Sequence, residues 1–146
     1  MRSVTVALID FTSALRWGDL PDPVRRQATR AFVNYVGCAL GGSRSASVDA
    51  ALRKVARHSA PGPAQVIGHR KRRLPVDAVL LNCLASSAYA FDDTHLKTIT
   101  HPTGPVASTL LAVGEMQRVG GADLLCALVL GIEISCRLSS EIMVSG

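Results

Sequence analysis

Between Asp22 and Gly42, apolar residues recur at Val24, Ala28, Ala31, Phe32, Tyr35, Val36 and Ala39. That spacing places all of them on one face of an α-helix. Asp22 reads as the cap, Pro23 as the first helical residue, and Gly41-Gly42 as the stop. So long a stripe has to be buried, and composition says against what. Hydrophobic residues make up 48% of the chain but aromatic residues only 4%. An interior of Ala, Leu and Val favours close-packed helices over a sheet sandwich.

The rest of the chain follows the same pattern. Val4, Leu8, Phe11 and Leu15 predict a first helix, closed by Trp17-Gly18-Asp19. A third spans Ser47–Arg57 and is broken by the Pro/Gly-rich stretch Ser59–Pro63. Ala64–Ile67 is the one segment that reads as extended. With Arg72–Leu74 as partner, it predicts at most a short strand or hairpin near 64–74. After Pro75 a fourth helix is predicted through Phe91, apolar nearly all round and therefore central. A fifth opens at Gly104-Pro105 and runs to about Arg118, with Gly120-Gly121 ending it. Asp123 caps a sixth, in which Glu133 precedes Arg137 by four residues as an exposed pair. The expectation is one all-α domain of about six helices over residues 1–146.

Several function classes are excluded. Cys38, Cys83, Cys126 and Cys136 show no CxxC spacing and lie in apolar stretches, which predicts free thiols in a reducing, cytoplasmic setting. No signal peptide is read in a start that meets Asp10 so early. The apolar run Leu124–Ile132 is too short to span a membrane. The net charge is +5, much of it from "HRKRR" at His69–Arg73. That cluster is either a nucleic-acid patch or a solvated turn. Without stacking aromatics or a reading motif, no nucleic-acid partner is expected. Excess positive charge also attracts small anionic substrates.

The chemistry gathers in Ala90–Pro105, "AFDDTHLKTITHPTGP". Asp92, Asp93 and Thr94 follow an apolar helix, and His101 stands just ahead of Pro102. The fifth helix then presents its unpaired N–H groups and positive dipole end to the same junction. A helix start flanked by hydroxyls is a cradle for carboxylate or phosphate, and an imidazole beside it can move protons. Ordinary roles are equally available. The acids or Thr94 can terminate one helix, Thr103 can cap the next, and a loop histidine can simply hydrogen-bond. A metal set of Asp92, Asp93, His95 and His101 matches no familiar zinc spacing, so neither metal nor cofactor is expected. From the residues alone, site and loop both stay open.

The stretch "LPVDAVLLNCLASSAYAFDDTHLKTITHPTGPVASTLLAVGE" resembles the signature region of the MmgE/PrpD family, which includes 2-methylcitrate dehydratase, cis-aconitate decarboxylase and iminodisuccinate epimerase. "AQVIGHRKRRLP" is similar to its short strand and basic turn, and "GADLLCALVLGIEISCRL" to its Gly-x-Glu-x-x-x-Arg helix. The resemblance implies a helical domain, interrupted in full-length members by a smaller α/β lid. It also implies proton chemistry next to a carboxylate on small di- and tricarboxylates, with loss of water, loss of carbon dioxide, or inversion. On that basis His101 and Asp93 are the catalytic candidates, His101 as proton carrier. Asp92, Thr94, Thr103 and Gly104 are the candidates for holding substrate.

Two departures qualify it. Members commonly carry an acid where Ala90 stands, and its loss disfavours decarboxylation. The likeness also stops at "EIMVSG", ahead of the Gly-Trp-His stretch, the downstream lysine and the lid. That predicts an incomplete domain, inactive alone, which forms homo-oligomers or pairs with a complementing chain. The alternative it leaves is a non-catalytic interaction module or half of a split enzyme.

Overall fold

A computed structural model describes residues 3–144. It contains six α-helices: α1 (Val4–Ala14), α2 (Asp22–Gly42), α3 (Ala46–His58), α4 (Pro75–Ser86), α5 (Thr103–Gln117) and α6 (Gly121–Val144). A single 3-10 turn, Trp17–Asp19, links α1 to α2. The all-α class is as expected, and no strand forms among the described residues. The extended segment amounts to one antiparallel bridge between Ala64 and Arg73, closed by N–O contacts of 3.0 and 2.9 Å. No helix among the described residues is long and apolar enough to cross a membrane.

Helix α4 sits between α2, α3 and α5, and α6 closes over α2 and α5. Small side chains set these distances. A Cβ placed on Gly42 would lie 2.0 Å from the Ala85 carbonyl oxygen, so α2 and α4 meet backbone to backbone there. Around that contact Ala39, Val48 and Ala85 are buried together. One turn back along the same face of α2, Tyr35 packs with Ala107 and Leu128. The Tyr35 hydroxyl meets Ser108 Oγ at 2.9 Å in the interior. Ala64, Val66, Ala78, Leu81 and Ala112 form a third cluster beneath the bridge.

Several boundaries differ from the sequence reading, each for a local reason. Helix α1 ends at Ala14, and Trp17–Asp19 is a separate turn, held by Arg16 N–H donating to Asp19 Oδ2 at 2.9 Å. Helix α2 already includes Asp22, whose carboxylate pairs with Arg25 instead of capping. Ser45 caps α3, accepting from the Val48 N–H. Helix α4 stops at Ser86, five residues before Phe91. There Ser86 Oγ and Ser87 Oγ both donate to the Cys83 carbonyl, at 2.8 and 3.3 Å. Hydroxyls that return to the backbone in this way compete with helix continuation. Helix α5 is ended by Arg118 in the left-handed region (φ 54°), not by the following glycines. Asp123 lies inside the first turn of α6, which opens at Gly121. Nor is α4 buried all round: Val76 and Leu80 are exposed.

The packing predicts opposite outcomes for two glycines of one helix. Gly42→Ala is expected to lower the unfolding free energy by about 1–3 kcal/mol, because it meets backbone. Gly37 faces open space, so Gly37→Ala is expected to raise it by about 0.5–1 kcal/mol. Equal effects in urea denaturation would contradict the close approach. A second expectation concerns pH. Burial pushes the Tyr35 phenol from 10.0 up to about 12, with its hydrogen bond to Ser108 pulling the other way. The unfolded chain therefore ionises first. The stabilisation is complete below about pH 10 and is lost as pH rises towards 12. Tyr35→Phe should flatten that alkaline decline relative to the parent chain, and identical slopes would count against it.

Candidate functional site

The chain leaves α4 at Ser86 and returns to begin α5 beside the same point. A Cβ on Gly104 would lie 2.9 Å from Ser86 Oγ and 4.0 Å from Cys83 Sγ. The absence of a side chain at 104 lets the two helix ends meet, and everything between them is folded into a compact excursion. Its tip is closed on itself. His95 N–H donates to the Thr100 carbonyl at 2.8 Å, and Ile99 N–H to the His95 carbonyl at 2.8 Å, with Ile99 in the left-handed region. Inside it His95 Nδ1 meets Thr98 Oγ1 at 2.7 Å, and Thr98 Oγ1 meets Thr100 Oγ1 at 2.9 Å.

The base of the excursion is fastened by Asp93. Its Oδ2 accepts from Thr103 Oγ1 at 2.7 Å, and its Oδ1 accepts from the Thr103 backbone N–H at 3.3 Å. A carboxylate at a helix start satisfies an orphan N–H and meets the positive dipole end. Here it arrives from ten residues upstream, because Pro102 occupies the cap position and has no side-chain acceptor. The amide cradle read from the sequence is thus engaged, at Thr103, by the protein's own carboxylate.

That anchor also sets the imidazole. His101 Nδ1 lies 3.0 Å from the Asp93 backbone carbonyl oxygen, 3.3 Å from Thr94 Oγ1 and 3.6 Å from Asp92 Oδ2. A carbonyl can only accept, so Nδ1 carries the proton and donates it. In the neutral ring Nε2 is then left with its lone pair, and it has no hydrogen-bond partner among the described residues. The His101 side chain is 47% exposed while that of Asp92 is 5% exposed. Asp92 also lies near two thiols. Burial, and next the Asp92 and Asp93 carboxylates, push Cys38 up; burial and then Asp92 do the same to Cys83. Both thiols are held in the protonated form, which makes them poor nucleophiles.

Of the residues singled out in the sequence, His101, Asp92, Asp93, Thr94 and Thr103 come together, and Gly104 packs directly behind them. Their accessibilities differ. His101 and Thr94 are exposed, Asp93 is half-buried, the Asp92 carboxylate is almost wholly buried, and Thr103 and Gly104 are buried. Among the described residues no three His, Cys, Asp or Glu side chains are grouped so as to hold a metal ion. His95 is turned to Thr98 instead.

The sequence reading missed a cavity of about 610 Å³ between α2 and α6, roofed by Phe91. Gln27, Arg30, Asn34, Asp93 and Glu133 contribute its polar lining. Asn34 Nδ2 donates to the Phe91 carbonyl at 3.2 Å and ties the excursion to α2. Glu133 does pair with Arg137 (2.6 Å), as the spacing predicted, yet it also faces this cavity. Asn34 and Arg30 sit on the polar face of an amphipathic helix, where no local signal separates a cavity wall from a solvated surface.

The MmgE/PrpD N-terminal domain model matches residues 6–145. The chain is 29% identical over 145 residues to the cis-aconitate decarboxylase-like protein oryM of Aspergillus oryzae. It is also 29% identical, over 143 residues, to the cis-aconitate decarboxylases of Homo sapiens and Mus musculus. Each alignment covers 94% of this chain but only 29–30% of the relative.

The Asp93–Thr103 anchor predicts coupling. Asp93→Ala and Thr103→Val should each cost about 1–2 kcal/mol. The double variant should cost clearly less than their sum, by at least about 0.5 kcal/mol in urea denaturation. Strict additivity would mean that the two side chains act independently.

Proposed function

The chain belongs to the MmgE/PrpD family, and from that premise we propose that it supplies one wall of a site for proton transfer at carbon beside a carboxylate. The substrate class is a small di- or tricarboxylate. The observation that carries this reading is the His101 ring, with Nδ1–H donated to the Asp93 carbonyl and the Nε2 lone pair left open. A general base needs such a fixed tautomer.

In this reading Nε2 accepts a proton from the carbon next to the substrate carboxylate, and the electron pair of the broken C–H bond stays on carbon. The ring becomes a cation with Asp92 Oδ2 already 3.6 Å from Nδ1. The Thr94 hydroxyl donates to the substrate carboxylate. Asp93 acts as a positioning residue, since its carboxylate holds Thr103 while its carbonyl orients the ring. The carbanion then either expels a hydroxyl from the neighbouring carbon, which leaves as water once an acid protonates it, or regains a proton on the opposite face. The relatives' identity as cis-aconitate decarboxylases favours a third course, loss of carbon dioxide. Ala90 speaks against that course, because a methyl group replaces the acid that the family resemblance assigns to decarboxylation. Dehydration or inversion is the preferred reading. The second proton donor comes from outside these 146 residues, either from further sequence like that of the roughly threefold longer relatives or from a complementing chain.

A second reading, a scaffold that associates without catalysis, is favoured by the apolar side chains that face solvent. Phe11 on α1, Leu138 and Met143 on α6, and Val76 on α4 are all exposed, and such surfaces mark association. His101→Ala separates the two readings. In an assembly that also holds the remaining length of the relatives, it should lower turnover on the best di- or tricarboxylate about 10²-fold or more. Thr94→Val should chiefly raise KM. Turnover unchanged in His101→Ala would remove the imidazole from the mechanism and leave the scaffold.

A further inference from the structure

The basic turn at residues 69–73 has no part in the junction chemistry, and its geometry is more specific than that of a solvated loop. The turn is pinned on both sides. Arg73 is fixed by the bridge to Ala64. Gly68, in the left-handed region (φ +76°), presses on Ser43, where a Cβ would lie 2.4 Å from Oγ. His69 Nε2 meets the Ser43 carbonyl at 2.8 Å, and Arg44 Nη2 donates to the Gly68 carbonyl at 3.1 Å. These contacts hold residues 69–73 beside the α2–α3 link, where together with α3 they line a cavity of about 470 Å³.

Five cations line that cavity: Arg44, Arg53, Arg70, Lys71 and Arg73. No carboxylate lines it, and none of the five makes an ion pair among the described residues. Arg72, which does pair with Glu115, points elsewhere. The decisive member is Arg73. It is 7% exposed, and its Nε is buried with no hydrogen-bond partner. A guanidinium keeps its charge, and a buried N–H of it without an acceptor is costly unless an anion meets the group. A largely buried arginine with an unpartnered Nε, set among four other cations, forms an arrangement suited to phosphate oxygens, which Arg recognises bidentately.

We propose that this cavity binds the phosphate groups of a small polyanion, either inorganic pyrophosphate or the polyphosphate end of a nucleotide. Arg73 contacts the innermost phosphate, and Arg53, Arg70 and Lys71 neutralise the outer ones. The site shares no lining residue with the cavity beside Asp93, so its occupancy is separable from any reaction at His101.

Titration calorimetry of the full chain at low and moderate salt tests this, with inorganic pyrophosphate, ATP and a short single-stranded RNA as probes. One saturable pyrophosphate site is expected, weakened by added salt. Arg73→Met and Arg53→Gln should each weaken it by about tenfold or more, and Arg57→Gln, on α3 but outside the cavity, by less than about twofold. Should Arg73→Met disturb the fold, the exposed Arg53→Gln still decides. ATP binding as tightly as pyrophosphate identifies phosphate alone as the determinant; tighter ATP binding identifies a nucleotide. Three results would overturn the proposal: no saturable pyrophosphate binding, equal losses in Arg57→Gln and Arg53→Gln, or RNA binding that pyrophosphate does not displace.

Discussion

The carboxylate of Asp93 on the first residue of α5 is the interaction on which the junction depends. One side chain satisfies a helix-start N–H, accepts a hydrogen bond from the Thr103 hydroxyl, and stops the chain where its own carbonyl faces His101. Without it the excursion between α4 and α5 would lose its tie to the start of α5, keeping the closure at its tip, the contact of His101 with the Asp93 carbonyl and the tie from Asn34. Helix capping and imidazole orientation are therefore one event. A residue needed for folding the loop also decides which ring nitrogen is open.

The anchor works only because the helices bring the two ends of the excursion together. Glycine and alanine at the α2–α4 contact, and the bare Cα of Gly104 against Ser86, let backbones approach closely. A core built from larger side chains would hold the ends of α4 and α5 further apart. The 4% aromatic content is the compositional trace of that geometry. Where an aromatic side chain does enter, as Tyr35 does, its hydroxyl is matched to Ser108 in the interior.

The helices were legible because burial of a stripe is a local property, written in the spacing of Val24 through Ala39. The ends were less so. Ser86 and Ser87 end α4 with side-chain bonds that alanine-rich sequence around them conceals, and Arg118 takes a conformation usually left to glycine. At the junction the residue types were readable, and so was their association with a family. Their division of labour was not. Nothing in "DDTH" says that the second acid, not the first, reaches forward ten residues to α5. Nor does it say that the helix start would be met by an internal carboxylate. The wall formed by Arg30, Asn34 and Glu133 was invisible for a similar reason, since it arises only when α6 is laid across α2.

A base at His101 requires one state of its ring. Long-range proton–nitrogen correlation spectra of His101, recorded in alkaline buffer where the imidazole is neutral, report directly which nitrogen carries the proton. The geometry predicts a protonated, pyrrole-type Nδ1 and a bare, pyridine-type Nε2. A ring protonated at Nε2, or one exchanging freely between the two forms, would contradict it.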